Sequence, residues 1–165
     1  MMECGTTCLA MILKYHGYSD IRSFLSEKAE VNLAGTDLLT LSRLAESFGF
    51  ESDGYKIKYK FFKDVTLPCI AHYEGNHFVV VYKVKNDTVW VADPAVGKYK
   101  ITKEEFEAKW NGIILQLKPT TSLFKDIEYE EEIRKLKESE KKVVKDFYLK
   151  TILQSRKLLT KIILA

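Results

Sequence analysis

The chain has 165 residues, a net charge of +3, a hydrophobic fraction of 46% and an aromatic fraction of 12%. This length suits one domain with an appendage, and the apolar content is sufficient for a packed core, which excludes wholesale disorder. The small charge, with no basic stripe interleaved with aromatic residues, argues against nucleic-acid binding. The three cysteines, an odd number, do not indicate a disulfide framework and favour a reducing compartment. No signal peptide opens the chain, and no apolar run is long enough to span a bilayer.

The first predicted helix begins after Gly5 and ends at Gly17, which is a suitable C-terminal stop. Its expected apolar face has helical spacing and consists of Cys8, Met11, Ile12 and Tyr15. Cys4 therefore lies at or just before the helix N-terminus, where free backbone N–H groups and the helix dipole favour a thiolate. A cysteine in this position is a candidate nucleophile if the fold supplies a histidine and a group that orients it.

Two further helices are predicted in the first half of the chain. The second is capped by Ser19 or Asp20 and carries Ile21, Phe24 and Leu25. A loop at 31–35 leads to a third helix with Thr36 as its N-cap, Asp37 in its first turn and Gly49 at its end. The apolar face of this helix consists of Leu38, Leu41, Leu44, Ala45 and Phe48.

The pattern changes from helices to strands after Phe50. Short strands are expected at 55–58, 68–73, 77–85, 88–92, 98–101 and 113–117. The third and fourth of these form an antiparallel hairpin closed at Asn86-Asp87. A small helix with a capping box between Thr102 and Glu105 precedes the last strand. Helices followed by an antiparallel sheet predict an α+β fold.

Residues 120–165 differ in composition from the rest and predict a charged linker followed by a basic amphipathic helix from Lys141 to Ala165. Such a helix can lie on an anionic membrane surface, or it can pack on the domain or on a partner. Both interpretations remain open from the sequence. The apolar end of the chain leads us to expect a fragment of a longer protein.

The three histidines differ in their predicted surroundings. His16 ends the first helix as a partly exposed capping residue, and His72 lies inside an apolar strand as a core histidine. His77 begins a strand, and closure of the hairpin places it opposite residue 95 or 96, so Asp93 lies at the same end of the sheet within hydrogen-bond reach. A carboxylate there would fix the imidazole tautomer and stabilise its charged form. Taken alone, Asp93 is better explained as a turn-forming Asp-Pro.

The other two cysteines are expected in the core. Cys8 follows Cys4 by one helical turn on the apolar face, and Cys69 follows a proline at the start of a strand. A zinc site formed by Cys4 and Cys8 with His16 or His72 is disfavoured, because Cys-x3-Cys without a second compact pair is a weak metal signature.

The segment Glu3-Cys4-Gly5-x-x-Cys8-Leu9-Ala10-Met11-Ile12, followed by Tyr15-His16-Gly17, resembles the nucleophile helix of the C39 family, the double-glycine leader peptidases. These are papain-like domains at the N-terminus of bacterial ABC exporters for bacteriocins and related peptides. The resemblance covers about residues 3–118 and continues through Gly35-Thr36, Leu67 to His72, Asn76 to Val81 and Asp93-Pro94-Ala95-x-Gly97. It implies a papain-like fold with Cys4 as nucleophile, His77 as general base and acid, and Asp93 as the residue that orients the imidazole.

The resemblance also implies a domain organisation and a cellular setting. Residues 1–119 would be the peptidase domain, and 120–165 the linker and membrane-surface helix that lead into the exporter's first transmembrane helix. The domain would cleave a leader peptide after a Gly-Gly type motif, before or during export, at the cytoplasmic face of the bacterial inner (plasma) membrane. Its partners would be the leader and the exporter's transmembrane and nucleotide-binding portions. No cofactor or metal is expected, and ATP would belong to the exporter, because no Gly-x4-Gly-Lys-Ser/Thr loop occurs here.

Two departures from the family pattern leave alternatives open. Glu3 replaces the usual aspartate, and the family's oxyanion-hole glutamine, about six residues before the nucleophile, would fall upstream of Met1. Either the sequence is truncated or its start is misassigned, or the domain lacks this donor. By analogy, loss of one oxyanion donor costs roughly 10²–10³-fold in rate, so in the last case the chain would fold and bind its substrate but cleave poorly. A docking module that binds the export substrate without cutting it is therefore an alternative. A standalone papain-type hydrolase is a third possibility, which the basic C-terminal helix disfavours.

Overall fold

The computed structural model of the chain describes residues 4–18, 21–28, 37–121, 134–135, 138–139, 141–150 and 152. The chain divides into two compact units, Met1–Lys125 and Asp126–Ala165. The helices of the first unit are α1 (Cys4–Tyr15), α2 (Arg22–Lys28), α3 (Leu38–Ser47), a 3₁₀ helix (Tyr59–Asp64) and α4 (Lys103–Lys109). Its strands are β1 (Phe50–Lys56), β2 (Cys69–Tyr73), β3 (His77–Lys85), β4 (Thr88–Asp93), β5 (Gly97–Thr102) and β6 (Trp110–Pro119).

The six strands form one antiparallel sheet in the order β1-β6-β2-β3-β4-β5. Helix α1 packs on β3 and β2, and α3 packs on β1 and β6. The observed order of elements, with helices first and an antiparallel sheet after them, confirms the predicted α+β class.

Helix α1 begins at Cys4 and buries one face formed by Gly5, Thr6, Cys8, Leu9, Ile12 and Leu13. The prediction was right about Cys8 and Ile12 but wrong about Tyr15, whose side chain is 73% exposed. The buried face consists of two adjacent rows with a spacing of four, and Leu9 and Leu13 belong to it instead of Tyr15. Gly17 ends the helix as predicted. It has a φ of 100°, and the N–H of Tyr18 donates to the carbonyl of Leu13 at 3.1 Å, as in a Schellman motif.

Helix α3 begins one residue later than predicted. Its N-cap is Asp37, whose Oδ1 accepts a hydrogen bond from the N–H of Thr40 at 2.7 Å, and this bond lowers the pKa of the carboxyl. The prediction of Thr36 as the cap is therefore wrong. Thr36, the 31–35 loop and the candidate caps Ser19 and Asp20 lie outside the described residues. The predicted apolar residues of α2 are buried, as are Leu41, Ala45 and Phe48 of α3.

Strand β1 runs from Phe50 to Lys56, so the prediction of a strand at 55–58 is wrong at both ends. The strand pairs along its whole length with β6, from Phe50 opposite Pro119 to Lys56 opposite Ile113. The mostly polar, exposed side chains of β1 carry no apolar alternation, and backbone pairing with a long neighbour defines the strand instead. The 3₁₀ helix that follows was not predicted.

The central hairpin and the last helix agree with their sequence signals. Strands β3 and β4 are joined at Asn86-Asp87, with a φ of 53° at Asn86. At the start of α4, the N–H of Glu105 donates to Thr102 Oγ1 at 3.2 Å, and the N–H of Thr102 donates to Glu105 Oε2 at 2.8 Å. The predicted capping box is thus confirmed.

In the second unit, residues 141–150 are helical. The larger apolar side chains of this segment are all exposed and comprise Val143, Val144, Phe147, Tyr148 and Leu149. Among the described residues, no helix is long and apolar enough to cross a membrane. The division of the chain into functional parts at residue 119 stays a prediction.

Candidate active site

Cys4 is the first residue of α1, is partly buried and has a free thiol. The neighbouring residue, Gly5, shows how closely this end of the helix approaches the sheet. A Cβ atom added to Gly5 would lie 2.9 Å from Leu41 Cδ1 and 3.4 Å from Phe78 Cδ2. The first turn of α1 therefore packs directly against Phe78, the residue that follows His77 in β3.

His77 and Asp93 meet at one end of the sheet. His77 is the first residue of β3 and Asp93 the last of β4, and both side chains are buried. The His77 Nε2 and Asp93 Oδ1 atoms are 2.9 Å apart. The predicted proximity of these two side chains is confirmed by this contact.

The hydrogen bonds around Asp93 determine which nitrogen of His77 is available as a base. Asp93 Oδ1 also accepts a hydrogen bond from the N–H of Ala95 at 2.8 Å, which fixes the carboxylate. Because an ionised carboxylate can only accept, His77 Nε2 carries the hydrogen of this contact, and Nδ1 of the neutral ring keeps its lone pair. His77 Nδ1 is buried and has no hydrogen-bond partner among the described residues, so the Cys4 thiol is not bonded to it here.

A tight turn at Glu74 and Gly75 immediately precedes β3, which begins at His77. Both residues have positive φ values, 44° at Glu74 and 78° at Gly75. The N–H of Glu74 donates to the carbonyl of Lys109 at 2.9 Å, and Lys109 Nζ lies 2.7 Å from Glu74 Oε1. The ion pair is half exposed and contributes little stability, but the two contacts attach the turn to the end of α4.

The other two cysteines are fully buried, as predicted. Burial raises the pKa of the Cys8 thiol well above its usual value, and nearby Cys4 and Asp93 raise it further. Burial alone raises the pKa of Cys69 to about 12. The Cys8 thiol also donates a hydrogen bond to the carbonyl of Phe78 at 3.2 Å, a contact that sequence reasoning did not find. The only feature of the sequence that pointed to this contact was the position of Cys8, one helical turn after the candidate nucleophile.

The remaining histidines make separate contacts. His16 is partly buried, as predicted, its ring packs edge-on against Tyr15 and Phe50, and burial lowers its pKa. His72 was predicted in the core, which is wrong: its side chain is partly exposed, and Asn111 Nδ2 donates to its Nδ1. Within the described part of the chain, no group of three or more His, Cys, Asp or Glu side chains could hold a metal ion.

Sequence comparisons identify relatives of the first unit. The model of the Peptidase C39 family matches residues 1–122. The chain is 39% identical over 132 residues to the lactococcin-G-processing and transport ATP-binding protein LagD of Lactococcus lactis subsp. lactis, covering 76% of this chain and 19% of LagD. It is 35% identical over 127 residues to the transport/processing ATP-binding protein ComA of Streptococcus pneumoniae, covering 72% of this chain and 18% of ComA. The chain thus spans about a fifth of the length of these curated relatives.

Solved structures with the same fold include two peptidase domains. A double-glycine-motif protease from an AMS/PCAT transporter, solved in complex with its leader peptide, superposes with a TM-score of 0.69 at 36% identity over 73% of this chain and 86% of that one. The peptidase domain of Streptococcus ComA gives a TM-score of 0.67 at 30% identity, over 72% and 93% of the respective chains. The α+β, papain-like fold implied by the resemblance is confirmed by these neighbours.

Proposed function

Because the chain belongs to the Peptidase C39 family, we propose that it is the cysteine peptidase domain of a peptide-exporting ABC transporter and cleaves a leader peptide after a Gly-Gly type motif. The observation that carries this proposal is the buried His77–Asp93 pair, in which His77 Nδ1 has no hydrogen-bond partner among the described residues. His77 begins β3, and the first turn of α1, where Cys4 lies, contacts the next residue of that strand. Peptide transport and leader binding by the relatives support the choice of substrate.

In the proposed mechanism, Cys4 is the nucleophile and His77 moves the protons. His77 Nδ1 takes the thiol proton, and the Cys4 sulfur attacks the carbonyl carbon of the second glycine. His77 then protonates the leaving amine as the C–N bond breaks, which leaves a thioester between Cys4 and the leader. His77 then deprotonates a water molecule, which attacks the thioester carbonyl. The C–S bond breaks, the leader leaves with a free carboxylate, and the protonated His77 returns its proton to the Cys4 sulfur. Asp93 holds the imidazole in the required tautomer and stabilises its charged form.

The developing oxyanion needs hydrogen-bond donors. We propose the backbone N–H of Cys4 as one donor, because the first N–H groups of a helix have no partner within the helix. The family resemblance assigns the second donor to a glutamine about six residues before the nucleophile.

Specificity for glycine follows from steric exclusion. A narrow cleft that admits only residues without side chains rejects ordinary sequences by clash. An apolar groove beside it would bind the amphipathic leader as a helix. The leader complex of the related double-glycine-motif protease supports leader binding as a property of this domain.

The setting of the domain is part of the proposal. We assign 1–119 to the peptidase and 120–165 to the segment that leads to the transmembrane and nucleotide-binding portions, at the cytoplasmic face of the inner (plasma) membrane. The helix at 141–150 exposes Val143, Phe147 and Tyr148 together with Lys141 and Lys145. This combination fits an anionic membrane surface.

We expect the chain to co-sediment with vesicles that contain phosphatidylglycerol and to bind much less to neutral phosphatidylcholine vesicles. Phe147→Glu should weaken this binding roughly tenfold or more, because it places a charge on the apolar face that inserts into the lipid. Phe61→Glu, at another exposed phenylalanine in the first unit, is the matched control and should bind normally. Equal sedimentation of both variants with wild type would contradict membrane binding by this helix.

Alkylation kinetics separate a peptidase from the docking alternative. At neutral pH, iodoacetamide should label Cys4 roughly tenfold or more faster than Cys8 or Cys69, because burial shields those thiols and raises their pKa. His77→Ala should slow the labelling of Cys4, because the imidazole no longer accepts the thiol proton. Peptide mass spectrometry over time measures each site. Slow, equal labelling of all three cysteines would favour a module that binds the export substrate without cutting it.

A further inference from the structure

We infer that Cys8 is a positioning residue for the proposed cleavage, because its thiol joins the helix that carries the nucleophile to the strand that carries the base. This inference rests on the proposed function, in which Cys4 is the nucleophile and His77 the base. Cys8 is not assigned a chemical step.

The contact itself is specific. Cys8 lies one turn after Cys4 in α1, and its side chain is fully buried. Its Sγ–H donates to the carbonyl oxygen of Phe78 at 3.2 Å, across 70 residues of sequence. Phe78 is the residue directly after His77. One hydrogen bond therefore connects positions adjacent to both proposed reacting groups.

The surroundings of His77 make this connection important. The pairing of β3 with β2 includes His77 and Phe78. The pairing of β3 with β4 begins only at Val80, opposite Ala92, so the sheet pairs these two residues on one side only. On the helix side, the first two turns of α1 contact this end of β3 through Gly5 and Cys8. Displacement of reacting groups by about 1 Å can cost as much as 10²-fold in rate. A contact that fixes the distance between α1 and β3 therefore bears directly on the approach of Cys4 to His77.

The protonation state of Cys8 suits this role. Burial, and then the proximity of Cys4 and Asp93, keep its pKa well above the usual thiol value. The thiol therefore stays protonated at neutral pH, remains a donor to the Phe78 carbonyl and does not compete with Cys4 as a nucleophile.

Three variants test the inference. Cys8→Ala removes the donor, Cys8→Ser keeps one, and Cys69→Ala truncates another fully buried cysteine outside the α1–β3 contact. With a double-glycine leader substrate, we expect kcat to fall about tenfold in Cys8→Ala with KM changed by less than about twofold. The rate of alkylation of Cys4 should fall by a similar factor. Cys8→Ser should recover most of both rates, and Cys69→Ala should retain them.

Several results would overturn the inference. These are a wild-type kcat in Cys8→Ala, a Cys8→Ser variant as slow as Cys8→Ala, or an equal loss in Cys69→Ala, which would indicate a general effect of core truncation. Thermal unfolding of each variant identifies losses that come from misfolding, and the comparison of Cys8→Ser with Cys8→Ala is then made among folded proteins. The proposed function fails separately, if Cys4→Ala still cleaves the leader.

Discussion

Replacing Cys4 by alanine is expected to lower cleavage of a double-glycine leader substrate by roughly 10⁴-fold or more, while leader affinity changes by less than about twofold. The reason is that, in the proposed mechanism, alanine removes the sulfur that would form the thioester, and it leaves the helix and the sheet intact. Cleavage is measured by mass spectrometry of the released leader under single-turnover conditions, and affinity by titration calorimetry with the uncleaved substrate.

Cys69→Ala is the matched control for this experiment, because it removes another thiol from a buried site in β2 and should cleave normally. If Cys4→Ala still released the leader, the cysteine peptidase assignment would be wrong. If wild type and Cys4→Ala bound the leader equally and neither cleaved it, the docking alternative would be correct for this chain.

Asp93 is expected to tolerate asparagine better than alanine. Asp93 Oδ1 accepts hydrogen bonds from both His77 Nε2 and the N–H of Ala95, at 2.9 and 2.8 Å. The Ala95 N–H requires an acceptor, so the amide oxygen of asparagine would occupy the Oδ1 position and still accept from His77. Asp93→Asn then loses the negative charge and keeps the tautomer, whereas Asp93→Ala loses both. We expect kcat/KM to fall about tenfold in Asp93→Asn and about 10²–10³-fold in Asp93→Ala.

Stability provides a second readout for Asp93. Asp93→Ala leaves His77 Nε2 buried without an acceptor, which should lower the free energy of unfolding by about 1–3 kcal/mol. Asp93→Asn should stay closer to wild type in urea denaturation. Asp87→Asn, in the exposed turn of the same hairpin, is the control and should match wild type in both assays. Equal activity losses in Asp93→Asn and Asp93→Ala would refute the idea that Ala95 fixes the oxygen.

The parts of the fold that the sequence predicted well are those set by local signals. The hairpin between β3 and β4 has a turn dipeptide between two apolar runs, and the capping box at Thr102 and Glu105 has its own spacing. The hairpin signal alone was sufficient to predict that His77 lies near Asp93, because a closed hairpin fixes which residues share its end. Strand β1 had no such signal, since its residues are mostly polar and its limits depend on pairing with β6.

The parts that the sequence missed depend on contacts between distant segments. Tyr15 has helical spacing from Ile12 and Cys8 yet is exposed, because the buried face of α1 is set by where β3 lies. The hydrogen bond from Cys8 to the carbonyl of Phe78 joins a thiol to a backbone atom, so no pattern of side chains along the chain could reveal it. Cys4 could be predicted as a candidate nucleophile from its position at the start of the helix. Its distance from His77 could not be predicted, because it depends on how α1 packs against the sheet.

The division of the proposed machinery between a hairpin and a helix has an evolutionary consequence. The proposed base and the residue proposed to orient it belong to one local unit, since His77 and Asp93 lie on consecutive strands of the same sheet. The proposed nucleophile belongs to another segment, which tertiary packing holds against that unit. Substitutions at the start of α1 can therefore abolish the proposed cleavage without disturbing the paired imidazole and carboxylate. In homologues that lose cleavage but keep substrate binding, we expect the first substitutions at the start of the helix and substitutions in the hairpin only later.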